Sequence, residues 1–126
     1  MFSFLKKNKE LNLTYNSGVN LGLYSFHLIA FLGNNEIGKA RGYIQKSGKF
    51  RLVKIDVYVG YRSNGYGSRM IEKLLAEARK DECTSFVFVG VSHSNTDAIR
   101  LYERLGAERK PILNCDDKSD YVMTLN

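Results

Sequence analysis

Proline is almost missing from this 126-residue chain, where Pro111 stands alone, and no period of about 20 to 50 residues repeats in it. Low-complexity linkers and repeat arrays are thereby excluded. Cysteine is scarce as well. Cys83 and Cys115 form no Cys-x-x-Cys pair, and two isolated thiols in an ordinary core fit a reducing cytosol. Nor do they combine with His27 and His93 at the paired ligand spacing of a zinc site, so no metal is expected. No apolar run approaches the roughly 18 residues of a membrane span. The leading Met-Phe-Ser-Phe-Leu-Lys-Lys puts its apolar part before its charge, the reverse of a secretory leader. The expectation is a soluble, cytoplasmic protein with no membrane partner.

What is present is a globular composition, 44% hydrophobic and 25% charged, in a chain long enough for one buried core and too short for two. Residues 1–126 are therefore read as a single domain, with 1–10 a loosely ordered basic lead-in. The formal charge of +6 is unevenly placed. Between Ile37 and Arg62 stand Lys39, Arg41, Lys46, Lys49, Arg51, Lys54 and Arg62 against Asp56 alone, while the flanking segments nearly cancel. Such a field concentrates a polyanionic ligand or an acidic substrate. It equally describes a solvated outer sheet face whose edge lysines discourage aggregation.

Hydrophobic periodicity sets the element order. Leu11 to Tyr15 alternates as a short strand, and a loop is expected over 16–20. Leu21 to Leu32 is a long apolar strand ending at the hairpin signal Gly33-Asn34-Asn35-Glu36. Ile37 to Gln45 and Phe50 to Gly60 complete a meander. On the last of these, alternation places Val53, Ile55, Val57 and Val59 on one face and Asp56 and Tyr58 on the other. Met70, Ile71, Leu74, Leu75 and Ala78 fall at helical spacing. Ser85 to Val91 is almost continuously apolar, as a strand buried on both faces requires. A second helix follows, capped by Ser94 or Asn95 and ended by Gly106. Two last strands, Glu108 to Leu113 and Tyr121 to Leu125, flank the polar stretch 114–120. The fold class is mixed α/β on a single mixed sheet: antiparallel meander, helix, buried parallel strand, helix, C-terminal hairpin.

Between the meander and the first helix lies Tyr61-Arg62-Ser63-Asn64-Gly65-Tyr66-Gly67-Ser68-Arg69-Met70. Gly65 and Gly67 have no Cβ, which allows positive φ and lets an anionic ligand approach the main chain closely. The helix that follows adds unpaired N–H groups and the positive end of its dipole, and together these make a phosphate seat. Two familiar phosphate loops are excluded. A dinucleotide fingerprint needs a third glycine where Met70 stands, and a P-loop needs Gly-Lys-Ser or Gly-Lys-Thr, which never occurs.

About thirty residues further on, Asn95, Ala98, Leu101, Tyr102, Glu103 and Gly106 spell Asn-x-x-Ala-x-x-Leu-Tyr-Glu-x-x-Gly on the second helix. Taken with the Arg62-Ser63-Asn64-Gly65-Tyr66-Gly67 loop, this pair of motifs resembles the GNAT superfamily of N-acetyltransferases over about Tyr24 to Leu125. The resemblance implies acetyl-CoA as acyl donor and a primary amine as acceptor. It implies that the pyrophosphate sits on the main-chain amides of Arg62, Ser63, Asn64, Gly65, Tyr66, Gly67 and Ser68. It further implies that the pantetheine arm runs beside Val57 and Val59, with an amide near Val57 polarising the thioester carbonyl. Asn95 matches the side chain that contacts the arm, and Tyr102 the acid that protonates the leaving thiolate.

The chemistry itself asks for these parts: a site that holds donor and amine together, stabilises an oxyanion, protonates a thiolate and deprotonates an amine of pKa about 10.4. The base is open. Family members often carry a glutamate on the buried strand, where this chain has Gly90; Asp56 is the first candidate, and His93 or a water chain the second. The family's helix pair between its first two strands is shortened or absent, which leaves the acceptor side open to a bulky substrate such as a protein N-terminus or lysine, or to a partner that completes the slot, and equally fits loss of acceptor binding. Two further readings compete, a CoA- or partner-binding module without catalysis and a small nucleic-acid binder. Against the last, the aromatics are not interleaved with the basic residues as stacking platforms.

Overall fold

The computed structural model describes residues 10–126, so the lead-in expected over 1–10 lies outside the described residues except for Glu10. Four strands run as an antiparallel meander: β1 (Leu11–Asn20), β2 (Leu23–Leu32), β3 (Asn35–Gln45) and β4 (Lys49–Val57). Helix α1 (Tyr66–Lys80) leads to β5 (Ser85–Ser92), and helix α2 (Thr96–Arg104) to the hairpin of β6 (Glu108–Ile112) and β7 (Cys115–Thr124). All strands join one sheet in the order β1-β2-β3-β4-β5-β7-β6. The expected mixed α/β architecture is therefore present. No helix among the described residues is long and apolar enough to cross a membrane.

Both helices pack on the same sheet face. Phe26, Leu28, Ala40, Phe50, Leu52, Phe86 and Phe88 of the sheet meet Met70, Ile71, Leu74, Leu75 and Ala78 of α1 and Tyr102 of α2 in one core. Burying each large side chain on α1 stabilises the fold by about 1.5–3 kcal/mol. An aromatic chain crosses the core at right angles to the strands, from Tyr15 through Phe26, Phe50, Phe86 and Phe88 to Tyr102. Small residues on β3 let this layer close. A Cβ on Gly42 would stand 1.9 Å from the Arg51 carbonyl and 2.7 Å from the Phe26 ring, and one on Gly38 2.7 Å from the Asp56 carbonyl.

Three boundaries differ from the sequence expectation. Residues 16–20 are strand rather than loop, and the turn is Leu21-Gly22, with φ of 52° and 79°. This stretch pairs as an exposed ribbon, where alternation carries no burial signal. The polar 115–120 is strand too, because β7 pairs with β6 at its exposed end. On β4, Leu52 faces Gly42 and Lys54 faces Arg41, so Val53 is an extra residue, a bulge. The bulge shifts the alternation: Phe50 and Leu52 share the core face with Ile55 and Val57, and Val53 does not belong with them. β4 also stops at Val57, leaving Val59 beyond the strand and 80% exposed.

The bulge has a counterpart on β5. The parallel β4–β5 ladder covers only Lys49–Leu52 against Ser85–Phe88. Past it, Gly90 takes φ 62°, and its N–H turns away to donate to Asp120 Oδ1 at 2.8 Å. Asp120 also approaches Arg51 at 3.8 Å. With one strand bulged and the other kinked, the two part and leave facing main-chain edges unladdered.

Candidate active site

The loop that leaves β4 is held by its own side chains. Tyr61 N–H donates to the Tyr58 carbonyl at 3.0 Å, with Gly60 at φ 99° in the turn. Arg62 then folds back over the strand end, its Nε donating to the Val57 carbonyl at 2.6 Å and its Nη2 to Asp56 Oδ1 at 3.1 Å. The Asn64 amide donates to the carbonyls of Tyr61 and Arg62, both at 3.1 Å. Ser63 (φ 66°) and Gly65 (φ 80°) take the left-handed conformation, as the glycine pattern predicts for Gly65 and as only the structure reveals for Ser63.

From Arg62 onward the hydrogen bonds that hold this loop come from the side chains of Arg62 and Asn64, and its main-chain amides remain over. Gly65 caps α1 without a side-chain hydrogen bond, and no acid stands in the first turn. The first helical donor to find a carbonyl is Arg69 N–H, on Gly65 at 3.2 Å. From Arg62 to Ser68, no main-chain N–H has a protein acceptor among the described residues. Helix α2 is built the opposite way, with Asn95 Oδ1 accepting from Ala98 N–H at 3.4 Å and Asp97 in its first turn. A row of unsatisfied donors at the positive end of a helix dipole is an anion seat.

That row opens into a cleft of ≈ 530 Å³ between the parted strands and the two helices. Ile55, Asp56 and Val57 of β4 form one wall, and Arg62, Ser63, Gly67 and Ile71 the mouth. Asn95, Asp97, Ala98, Leu101 and Tyr102 form the other wall. Tyr102 is buried and stacks on Phe88 at 3.8 Å between ring centroids. Burial pushes its phenol pKa up, so the group keeps its proton at neutral pH. Under it a small cavity runs between β4 and β5 past Lys54, Ile55 and Val89.

Of the residues singled out in the sequence, the structure brings Asp56, Val57, Arg62, Ser63, Gly67, Asn95 and Tyr102 to one cleft. Asn64, Gly65, Tyr66 and Ser68 complete the loop behind it, while Val59 lies outside. His93 does not line the cleft. Its Nε2 shares a hydrogen bond with Ser119 Oγ at 2.8 Å, and the buried Ser119 accepts from Arg109 Nε at 3.0 Å. Asp56 has an ion pair, with Arg62 rather than a lysine, and keeps Oδ2 outside it. Sequence reasoning did not single out Ile55, Ile71, Ala98 and Leu101 as wall residues; their apolar spacing marks them only as core.

The sequence matches the Acetyltransferase (GNAT) family over residues 5–107. This chain belongs to the GNAT acetyltransferase family. Several solved GNAT-like structures share its fold. An acetyltransferase from Bacillus subtilis, solved in complex with CoA, superposes with a TM-score of 0.76 at 15% identity, covering 93% of this chain and 100% of that one. A GNAT family acetyltransferase from Elizabethkingia anophelis with acetyl-CoA bound gives 0.71 at 16%, covering 90% and 99%. Ard1 from Thermoplasma volcanium gives 0.71 at 17%, covering 79% and 70%. No curated protein sequence matches the chain. GNAT membership accounts for the order of its parts, an acyltransferase fold whose loop, parted strands and second helix converge on one cleft.

Proposed function

We propose that this GNAT protein moves an acetyl group from acetyl-CoA to a primary amine, a protein N-terminus, a lysine or a small amine, by direct attack in a ternary complex. The observation that carries the proposal is the unbroken run of unpaired amides from Arg62 to Ser68, opening on the cleft where Tyr102 lies. In this reading the pyrophosphate of CoA rests on those amides and the pantetheine arm lies along the free edge of β4. Tyr58 N–H donates to Ile37 of β3 at 2.8 Å; amides alternate along a strand, so Val57 N–H points to the cleft side. It is suited to the thioester oxygen as charge develops there. Asn95, whose Oδ1 caps α2, offers its amide NH₂ to the arm.

In the reaction, the amine nitrogen bonds to the acyl carbon, and the carbon–sulfur bond breaks. The amine proton passes to Asp56 through Oδ2, and the thiolate takes the phenol proton of Tyr102, which solvent restores. The products are an amide and CoA thiol. No group of three or more His, Cys, Asp or Glu arranged to hold a metal occurs among the described residues, and the proposed steps use none. Two unpaired thiols, Cys83 buried and Cys115 half-buried, fit a cytoplasmic setting.

A second reading, a CoA-binding module without catalysis, is favoured by two details: the family resemblance places an often-present glutamate where this chain has Gly90, and Asp56 is tied to Arg62. Acetyl transfer to a panel of amines, followed by mass, separates the two. Turnover with any amine supports the transferase; tight CoA binding without turnover supports the module.

A further inference from the structure

The sheet has a second face, and among the described residues no helix covers it. β1 and β2 are joined by the Leu21-Gly22 turn alone, so no helix stands between them to fold over the meander. Alternation puts His27 of β2, Lys39 and Arg41 of β3, and Lys54 of β4 on this face, all exposed. The strand register sets them side by side: His27 faces Arg41, and Arg41 faces Lys54. Like charges directly opposite across a ladder are unfavourable. Yet none of Lys39, Arg41 or Lys54 makes an ion pair among the described residues. Protection of a sheet edge does not explain them, because β3 and β4 are the third and fourth of seven strands.

Their position relative to the cleft gives them a use. Asp56 lies two residues beyond Lys54 on the same face, opposite Lys39 in the register. Lys54 also borders the crevice between β4 and β5 that ends under Tyr102. A shallow hollow of ≈ 130 Å³ lies among Lys39, Ala40, Arg41 and Lys54. Two residues of strand span about 7 Å, so a chain laid on this face with its amine at Asp56 meets Lys54 about two residues on, and Arg41 shortly after.

We infer that this basic face is the docking surface for the acceptor, and that the acceptor is a polypeptide with carboxylates within about two to five residues of the reacting amine. The inference rests on the transferase reading above and supplies its substrate class. Charge complementarity selects an acidic peptide; a nucleic acid would need free aromatic platforms among the cations, and Tyr43, which follows Arg41 on this face, has its ring under Arg51 at 5.7 Å and its hydroxyl accepting from Arg51 Nε.

The probes are two peptides of identical length with a free N-terminal serine and a C-terminal dye, one continuing Glu-Asp-Glu-Asp and its twin Gln-Asn-Gln-Asn. Binding is read by fluorescence anisotropy with saturating CoA at about 50 mM and about 300 mM salt. The acidic peptide is expected to bind about tenfold more tightly at low salt. That preference should shrink at high salt and vanish in Lys39→Glu/Arg41→Glu/Lys54→Glu. Lys39→Gln/Arg41→Gln/Lys54→Gln, a milder change in fold, should lose most of it, with CoA affinity unchanged in both. Equal affinity of the twins, binding of neither, or a preference that survives the substitutions overturns the inference, as does a single-stranded oligonucleotide that displaces the acidic peptide. Charge-dependent binding with no acetylation of either peptide overturns the acceptor role of this face, and the amine panel then decides the transferase reading separately. Equal acetylation of both twins supports the transferase and overturns the docking surface.

Discussion

At the scale of single residues, the phenol of Tyr102 concentrates the proposed chemistry. Its ring is clamped against Phe88 and its pKa is raised by burial, so it holds its proton until a thiolate appears. Tyr102→Phe keeps the stack and removes the proton; turnover is expected to fall about 100-fold or more, with CoA affinity changed less than about threefold, as steady-state kinetics and calorimetry would show. Unchanged turnover removes Tyr102 from the mechanism. Tyr102 was readable because a motif marked it on a helix whose inward stripe was clear. Arg62 was readable as part of the loop but not as its staple, because binding Val57 and Asp56 depends on where β4 ends. Tyr58 illustrates the same limit: its hydrogen bond to Glu36, which pushes the phenol up to about 12, joins residues 22 apart in sequence.

The elements make the cleft, and two tests belong to them. Gly42 sits beside the β4 bulge where a Cβ would strike the Arg51 carbonyl. Gly42→Ala should therefore cost about 2 kcal/mol or more, a fall of roughly 8 °C in thermal midpoint; a midpoint within about 1 °C of the parent would show that the bulge relaxes freely. On α1, Lys73 bonds to Glu77 at 2.9 Å and holds its carboxyl below the usual glutamate range, with Lys80 adding to the effect. A depressed folded-state pKa stabilises above the unfolded value near 4.3 and is lost as pH falls through the folded one. Glu77→Gln is expected to destabilise by about 0.5 kcal/mol at pH 7 and by almost nothing at pH 3; an equal loss at both pH values would contradict the ion pair. The helices and the order of strands could be read from periodicity. The bulge at Val53 and the kink at Gly90 could not, since a single extra residue and a positive φ leave no mark on an apolar pattern. Simple alternation therefore misplaces Val53, and it carries Val59 onto a strand that ends at Val57.

Across the whole molecule, one sheet separates two kinds of surface. The helical face carries the cleft and the row of free amides; the other carries the unpaired cations of β3 and β4. The charge excess between Ile37 and Arg62 was plain in the sequence, but its two readings divide only when the strand order places these residues mid-sheet. The two-residue turn between β1 and β2 leaves the second face without a helix over it among the described residues.

The most direct test of the account is thermal unfolding with acetyl-CoA, CoA or ATP. At about a hundred times its dissociation constant a ligand stabilises by roughly 2.7 kcal/mol, which in a domain of this size raises the midpoint by about 10 °C. The account predicts that rise with acetyl-CoA and CoA and little with ATP. No rise at millimolar acetyl-CoA would mean that the amides from Arg62 to Ser68 hold no donor, and the transferase reading would fall with them.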